Sequence, residues 1–316
     1  MAGPAQPPEV EAVHGGGIAC CQLELAVGDV AGNLRRAEDA VRAAAAAGAR
    51  LIVLPELLAS GYCLPDATTA RSLAEDAATG PTASLLGALA TELDVVLVAG
   101  VCEDGGEVLH NSAVLVDASG VRVVYRKVHL WDAEPDLFVP GDAAPPVVET
   151  ALGRVAVMIR YDLEFPEWVR LAALAGADVV AVPACWPRGA WWPAGERPPE
   201  QVKALAAAAT NGLAVAVCDR AGAEPAPARM DAGGGRVSWI GGSLIADATG
   251  APVAIADAGA PGDDGRATVL HGHVDLRRSR DKRVSARNDL LADRRPELYA
   301  ALASTTTRDG DGPPDS

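Results

Sequence analysis

The sequence predicts an α/β protein, and three observations carry that expectation. Short runs rich in Val, Ile and Ala recur along the chain with the length of buried strands. Helix-length segments with apolar residues at helical spacing alternate with them. Ionisable residues stand where several of those apolar runs end, which is where α/β proteins build their sites.

Taken in order, residues 17–25 read as a strand, and residues 33–47 as a helix with Leu34, Ala37, Val41 and Ala44/Ala45 recurring on one face. Gly48 follows as a helix stop. A short apolar strand over 51–54 ends at Pro55-Glu56. A second helix is expected over 83–93 and a buried strand over 95–100. Strands at 112–117 and 121–125 flank Ala-Ser-Gly, the composition of a hairpin turn. The strand expected over 154–161 precedes a helix opened by Pro166, with Glu167 beside it suiting the helix dipole. Runs at 179–182, 213–218, 243–246, 252–256 and 267–274 complete the strands. No repeat period and no internal linker are visible. One domain over 17–303 is therefore expected, between a disordered N-terminal tail (1–16) and a disordered acidic tail (304–316).

Composition narrows the function. The 316 residues carry 27 Lys+Arg against 42 Asp+Glu, a net charge of −15 that repels phosphate backbones and anionic lipid. Nucleic acid and membrane surfaces are thus excluded as expected partners. A hydrophobic content of 49 % argues against a disordered or collagen-like chain. No apolar run reaches the roughly 18 uncharged residues of a membrane span; the best, 51–64, contains Glu56. The first residues lack the basic and apolar regions of a signal peptide, so the protein reads as soluble and cytoplasmic. Cys20, Cys21, Cys63, Cys102, Cys185 and Cys218 form no C-x-x-C pair, and neither structural zinc nor disulfides are expected.

Three segments place charge at strand ends. They are Leu-Ile-Val-Leu-Pro-Glu56-Leu-Leu-Ala-Ser-Gly-Tyr62, then Tyr125-Arg-Lys127-Val-His129-Leu with Glu134 and Phe138-Val-Pro-Gly141-Asp beyond it, and then Val-Met-Ile-Arg160-Tyr-Asp162-Leu-Glu-Phe165-Pro166-Glu167. Each alone is a common pattern. Together and in this order they resemble the carbon–nitrogen hydrolase family, or nitrilase superfamily, and the resemblance runs from about Gly17 to Tyr299. Asn33, Asn211-Gly, Arg220-Ala-Gly, Gly241-Gly-Ser243 and Asp293-Arg-Arg-Pro-Glu-Leu-Tyr299 extend it.

The resemblance implies a four-layer α-β-β-α sandwich, commonly a homodimer or higher homo-oligomer, working without cofactor or metal. It implies attack of a cysteine thiolate on a small linear amide, N-carbamoyl compound or related nitrogen compound. A glutamate serves as base and acid, and a lysine stabilises developing negative charge. By position Glu56 resembles the base, Lys127 the stabilising cation and Glu134 the second glutamate that orients them. Tyr62, Cys185 and Trp186 are the expected substrate-binding residues.

One position departs from the pattern. The family nucleophile directly precedes Tyr-Asp, and here that residue is Arg160. A guanidinium stays charged at every working pH and cannot attack a carbonyl. Where the family site sums to −1, Glu56, Glu134, Lys127 and Arg160 sum to zero. Cysteine-dependent hydrolysis is therefore expected to be lost or severely reduced, with Arg160 plugging the site and pairing with Glu56 as an internal salt bridge. Glu164 is a further candidate partner. Two rival readings stand beside this one: an enzyme with altered non-covalent chemistry, in which Glu56 and Lys127 act on a substrate anchored by Arg160, and a non-catalytic ligand-binding or regulatory subunit. Cys185, in Val-Pro-Ala-Cys-Trp-Pro, is the candidate for a substitute nucleophile, although a buried inert thiol is the simpler account. Lys203, Thr210 and Asp219 also differ from the family's usual residues, which fits a relaxed site.

Other signals are weaker. Trp186, Trp191 and Trp192 suit either a pocket wall or an interface. His271 and His273 alternate on one strand face but lack a third ligand. Gly233 to Gly235 lack the strand–helix setting of a phosphate loop.

Overall fold

The computed structural model describes residues 17–189, 196–230, 235–258 and 264–303. Both expected tails, Trp191, Trp192 and Gly233–Gly234 lie outside these residues. The chain divides into a large unit ending at Asp281 and a small one beginning at Lys282. Among its described residues, 282–303, the small unit consists of turns with short 3₁₀ segments at Pro296–Leu298 and Ala300–Ala303.

In the large unit the elements are β1 (Gly17–Gln22), α1 (Val30–Ala46), β2 (Ala49–Val53), α2 (Ala67–Leu73), α3 (Pro81–Leu93), β3 (Val96–Asp104), β4 (Leu109–Asp117) and β5 (Gly120–Arg126). They continue with β6 (Val147–Thr150), β7 (Gly153–Val157), α4 (Pro166–Leu174), β8 (Val179–Pro183), α5 (Pro199–Asn211) and β9 (Ala214–Cys218). The last are β10 (Ala223–Pro225), β11 (Arg236–Ser238), β12 (Leu244–Ala246), β13 (Pro252–Ile255) and β14 (Thr268–His273).

Two six-stranded sheets form, ordered β14-β1-β2-β3-β4-β5 and β13-β12-β9-β8-β7-β6, with β10 and β11 as a separate ribbon. Each sheet has three parallel strands at its centre (β1-β2-β3 and β7-β8-β9) and antiparallel strands outside them. The halves therefore share a strand pattern that no sequence period announces, because packing needs like patterns of burial rather than like residues. The sheets pack face to face through β1, β2 and β3 against β8, β9 and β12. Helices α1 and α3 cover one outer face, and α4 and α5 the other. The result is the four-layer α-β-β-α sandwich.

Strands covered on both faces read as continuous apolar runs rather than alternating ones. Accordingly β8 and β9 are buried at every residue. Helix α1 starts three residues before the expected point because the Asp29 carboxylate caps it, accepting from the Gly32 amide at 3.0 Å. Asn33, buried within α1, donates to the carbonyls of Ala26 and Ala59 and so ties this helix to the loop that follows Glu56. The hairpin at Ala-Ser-Gly forms as expected between β4 and β5, with Gly120 at φ +103°. The strand predicted over 154–161 is shorter: β7 ends at Val157, and the backbone turns into a 3₁₀ segment, Arg160–Glu164. That break aims Arg160 at the interior.

Candidate active site

The acidic and basic residues converge at the C-terminal ends of strands from both sheets. Glu56 follows β2, Lys127 follows β5, Arg160 follows β7, Cys185 follows β8 and Asp219 follows β9. Gly100 on β3 allows this approach: a Cβ there would lie 2.5 Å from the Glu56 Cα, so no side chain fits.

Lys127 is the hub. Its Nζ donates to Glu56 Oε1 at 2.7 Å and to Glu134 Oε1 at 2.8 Å, with Lys127 and Glu56 both wholly buried. Asn111, on β4, donates to the same two oxygens at 2.7 and 3.4 Å. Glu134 Oε2 accepts from the Trp131 amide at 2.9 Å. Glu56 Oε2 is buried without a hydrogen-bond partner among the described residues.

These surroundings separate the two carboxyls. Burial pushes Glu56 above the ordinary carboxylate range, against the pull of Lys127. Burial acts on Glu134 in the same direction, but the Lys127 ammonium, the Arg160 guanidinium and the hydrogen bonds to Lys127 and Trp131 outweigh it and hold this carboxyl low. Burial likewise opposes the Lys127 charge, yet Glu134 and Glu56 keep the amine above its ordinary value. Their environments thus drive the two carboxyls apart, Glu56 upward and Glu134 downward.

Arg160 stands at φ +35°, a strained backbone setting for a residue with a Cβ. Its guanidinium is buried, donates from Nη1 to the Tyr62 hydroxyl at 3.0 Å, and lies over the Trp131 ring at 4.0 Å and the Tyr62 ring at 5.6 Å. The Tyr62 hydroxyl in turn donates a hydrogen bond to Glu134 Oε1 at 2.7 Å. Among the described residues no carboxylate oxygen lies within 4.0 Å of Arg160. The expected Arg160–Glu56 salt bridge is thus absent: Lys127 reaches Glu56 first, and the guanidinium settles on aromatic faces and a phenol. Glu164, the other expected partner, pairs with Lys203 instead.

Asp162 ties the lysine strand to the Arg160 turn. Its Oδ2 accepts from the Tyr125 hydroxyl at 2.8 Å and the Ile159 amide at 3.1 Å, while Oδ1 contacts the His129 amide at 3.0 Å and His129 Nδ1 at 2.7 Å.

Cys185 and Trp186 lie in the loop after β8. The Cys185 thiol is wholly buried, faces the Glu56 carbonyl at 3.5 Å, and is pushed well above its ordinary pKa by burial and by Glu56. A thiol so held is a poor source of thiolate. Trp186 is fastened through its backbone, whose amide donates to Asp219 Oδ1 at 2.7 Å. Among the described residues no hydrogen bond joins its side chain to Glu56, Lys127 or Glu134. Asp219 also accepts from the Arg220 and Gly242 amides, and burial raises its carboxyl to about 6 despite them. A cavity of about 10 Å³ beside Tyr62 and Glu134, lined also by Phe138, Arg229 and Met230, has room for one water.

Sequence reasoning missed Asn111 and Trp131. Asn111 was detectable as a lone amide in the apolar run of β4; Trp131 stands four residues beyond the lysine and carried no spacing signal. Among the described residues no cluster of three or more His, Cys, Asp or Glu is arranged to hold a metal ion. No helix is long and apolar enough to cross a membrane, again among those residues.

A four-layer α-β-β-α sandwich enclosing a buried glutamate–lysine–glutamate group defines the class of protein to which this chain belongs. The carbon–nitrogen hydrolase family model matches residues 17–283, and the chain belongs to that family. It is 34 % identical over 267 residues to a nitrilase of Pyrococcus abyssi, covering 84 % of this chain and 92 % of that protein. It is 30 % identical over 289 residues to the N-carbamoylputrescine amidase of Arabidopsis thaliana, covering 87 % and 91 %. The crystal structure of a carbon–nitrogen hydrolase from Helicobacter pylori superposes with a TM-score of 0.80 at 25 % identity, covering 93 % of this chain and 99 % of that one.

Proposed function

We propose that this chain is an amidase-like carbon–nitrogen hydrolase family member in which cysteine-dependent hydrolysis is lost or severely reduced. The observation that carries this reading is Arg160: a buried guanidinium, on a strained turn directly before Tyr-Asp, in the place the family resemblance gives to the nucleophile. It has no proton to shed at working pH and no sulfur to acylate. The 2.7 Å contact between Lys127 Nζ and Glu56 Oε1 supports reading the two as the cation and the base that the family resemblance implies.

The ligand class is a small amide or related nitrogen compound, in keeping with the amidase and nitrilase names of the relatives. Leu171 and Leu174 on α4 and Val202 on α5 are exposed apolar residues on one helical layer, which supports self-association through that layer. Six free, buried cysteines suit a reducing compartment such as the cytoplasm.

Glu56 Oε2, buried without a partner, favours a second reading, an enzyme using Glu56 as base without a covalent intermediate. The deciding experiment is intact-mass trapping with small amides and activated esters, run beside a product assay. No acyl adduct is expected on the native protein, and one is expected on Arg160→Cys. An acyl-thioester on the native chain overturns the main reading; product formation without any adduct, lost in Glu56→Gln, establishes the second.

A further inference from the structure

Resting on the reading of Arg160 as the occupant of the nucleophile's place, we propose that its side chain is a built-in ligand. The space it fills is a binding site for a small planar N–H-rich cation, a guanidinium or amidinium ion.

Three features surround that head group and none depends on its tether to the backbone. The Trp131 ring presents its face at 4.0 Å, the distance of a close cation–π contact. The Tyr62 hydroxyl, its proton committed to Glu134, offers a lone pair that Nη1 meets at 3.0 Å. With both carboxyls ionised, Glu56, Glu134 and Lys127 sum to −1, so one cation brings this buried group to neutrality. Neutral urea would leave the charge uncompensated, and a bare ammonium, more strongly hydrated, would pay more to leave water for an aromatic face. A guanidinium satisfies all three, as the head group of the present occupant does over Trp131 and on the Tyr62 hydroxyl. The native protein does not take up such an ion because the seat is filled.

The test is differential scanning of Arg160→Ala with guanidinium or acetamidinium chloride at up to about 20 mM, where the denaturing action of guanidinium is slight. Sodium, ammonium and urea serve as matched controls. A saturable rise in melting temperature, about 2 °C at ten times Kd, is expected with the two planar cations alone and is absent in the native protein. Adding Trp131→Leu should weaken the ion about tenfold. Arg160→Ser is the second host. If neither variant accumulates folded, refolding yield with and without guanidinium decides: a higher yield with it supports the site and an equal yield overturns it. No selective shift, or an equal shift in the native protein, also overturns it. An Arg160→Cys variant that hydrolyses amides while Arg160→Ala ignores guanidinium sinks this inference alone, whereas a native acyl-thioester sinks the reading beneath it.

Discussion

Arg160 Nη1 donates a 3.0 Å hydrogen bond to the Tyr62 hydroxyl, joining residues 98 positions apart in the sequence. That hydroxyl in turn donates to Glu134, so the phenol relays between a buried cation and a buried anion that do not touch. The relay explains how a fourth ionic group is tolerated in a site whose other three members already pair among themselves.

Tyr62→Phe removes the relay without changing shape. Arg160 then loses a buried acceptor and Glu134 a buried donor, which costs about 1–3 kcal/mol of stability. Urea unfolding measures it. A loss within about 0.5 kcal/mol, the range of an ordinary surface substitution, would show that the relay contributes nothing.

Lys127→Met leaves two buried carboxylates converging on a methyl group. Breaking a buried ion pair from one side costs about 3–5 kcal/mol at neutral pH. The loss should shrink as the pH falls and the abandoned carboxyls take up protons. A pH-independent loss would mean that Lys127 serves as packing and not as charge.

Asp219 carries the clearest pH signature. A carboxyl raised to about 6 binds its proton more tightly in the folded chain than in the unfolded one. The stability it contributes is therefore present below the ordinary Asp value near 4 and is lost as the pH rises to about 6. Asp219→Asn has no charge to bury and should escape that loss. Relative to the native protein its stability should improve by on the order of 3 kcal/mol between pH 4 and 7, above a constant offset from its amide facing the Gly242 N–H. Parallel stability curves for the two proteins would refute this.

Leu171→Glu with Val202→Glu places two charges on the exposed apolar layer of α4 and α5. Sedimentation should show a smaller species than the native protein forms, with little change in fold, since both side chains are surface residues. A native protein that already sediments as a monomer would remove the proposed interface.

Much of the architecture is legible in the chain because strand and helix signals are local. Unbroken apolar runs mark strands covered on both faces, as in β8 and β9, and Pro166 marks the start of α4. The expected strand over 154–161 ran too far because Met158 and Ile159 are apolar enough to extend it. The backbone nonetheless turns, and only the tertiary setting shows that Ile159 donates its amide to Asp162 rather than to a neighbouring strand.

The candidate site divides along the same line. Sequence alone determined that Glu56, Lys127 and a permanent cation at 160 stand where strands end, with Glu134 a little beyond the lysine, since charge and position along the chain are written in residue identity. Which of them pair was decided in three dimensions, where sheet packing sets separations between residues far apart in sequence. Lys127 sits within reach of both glutamates and wins them, leaving Arg160 to an aromatic face and a phenol. Coulomb attraction falls with distance and is strongest where water is excluded, so the geometry of the core, and not the list of charges, assigned the partners.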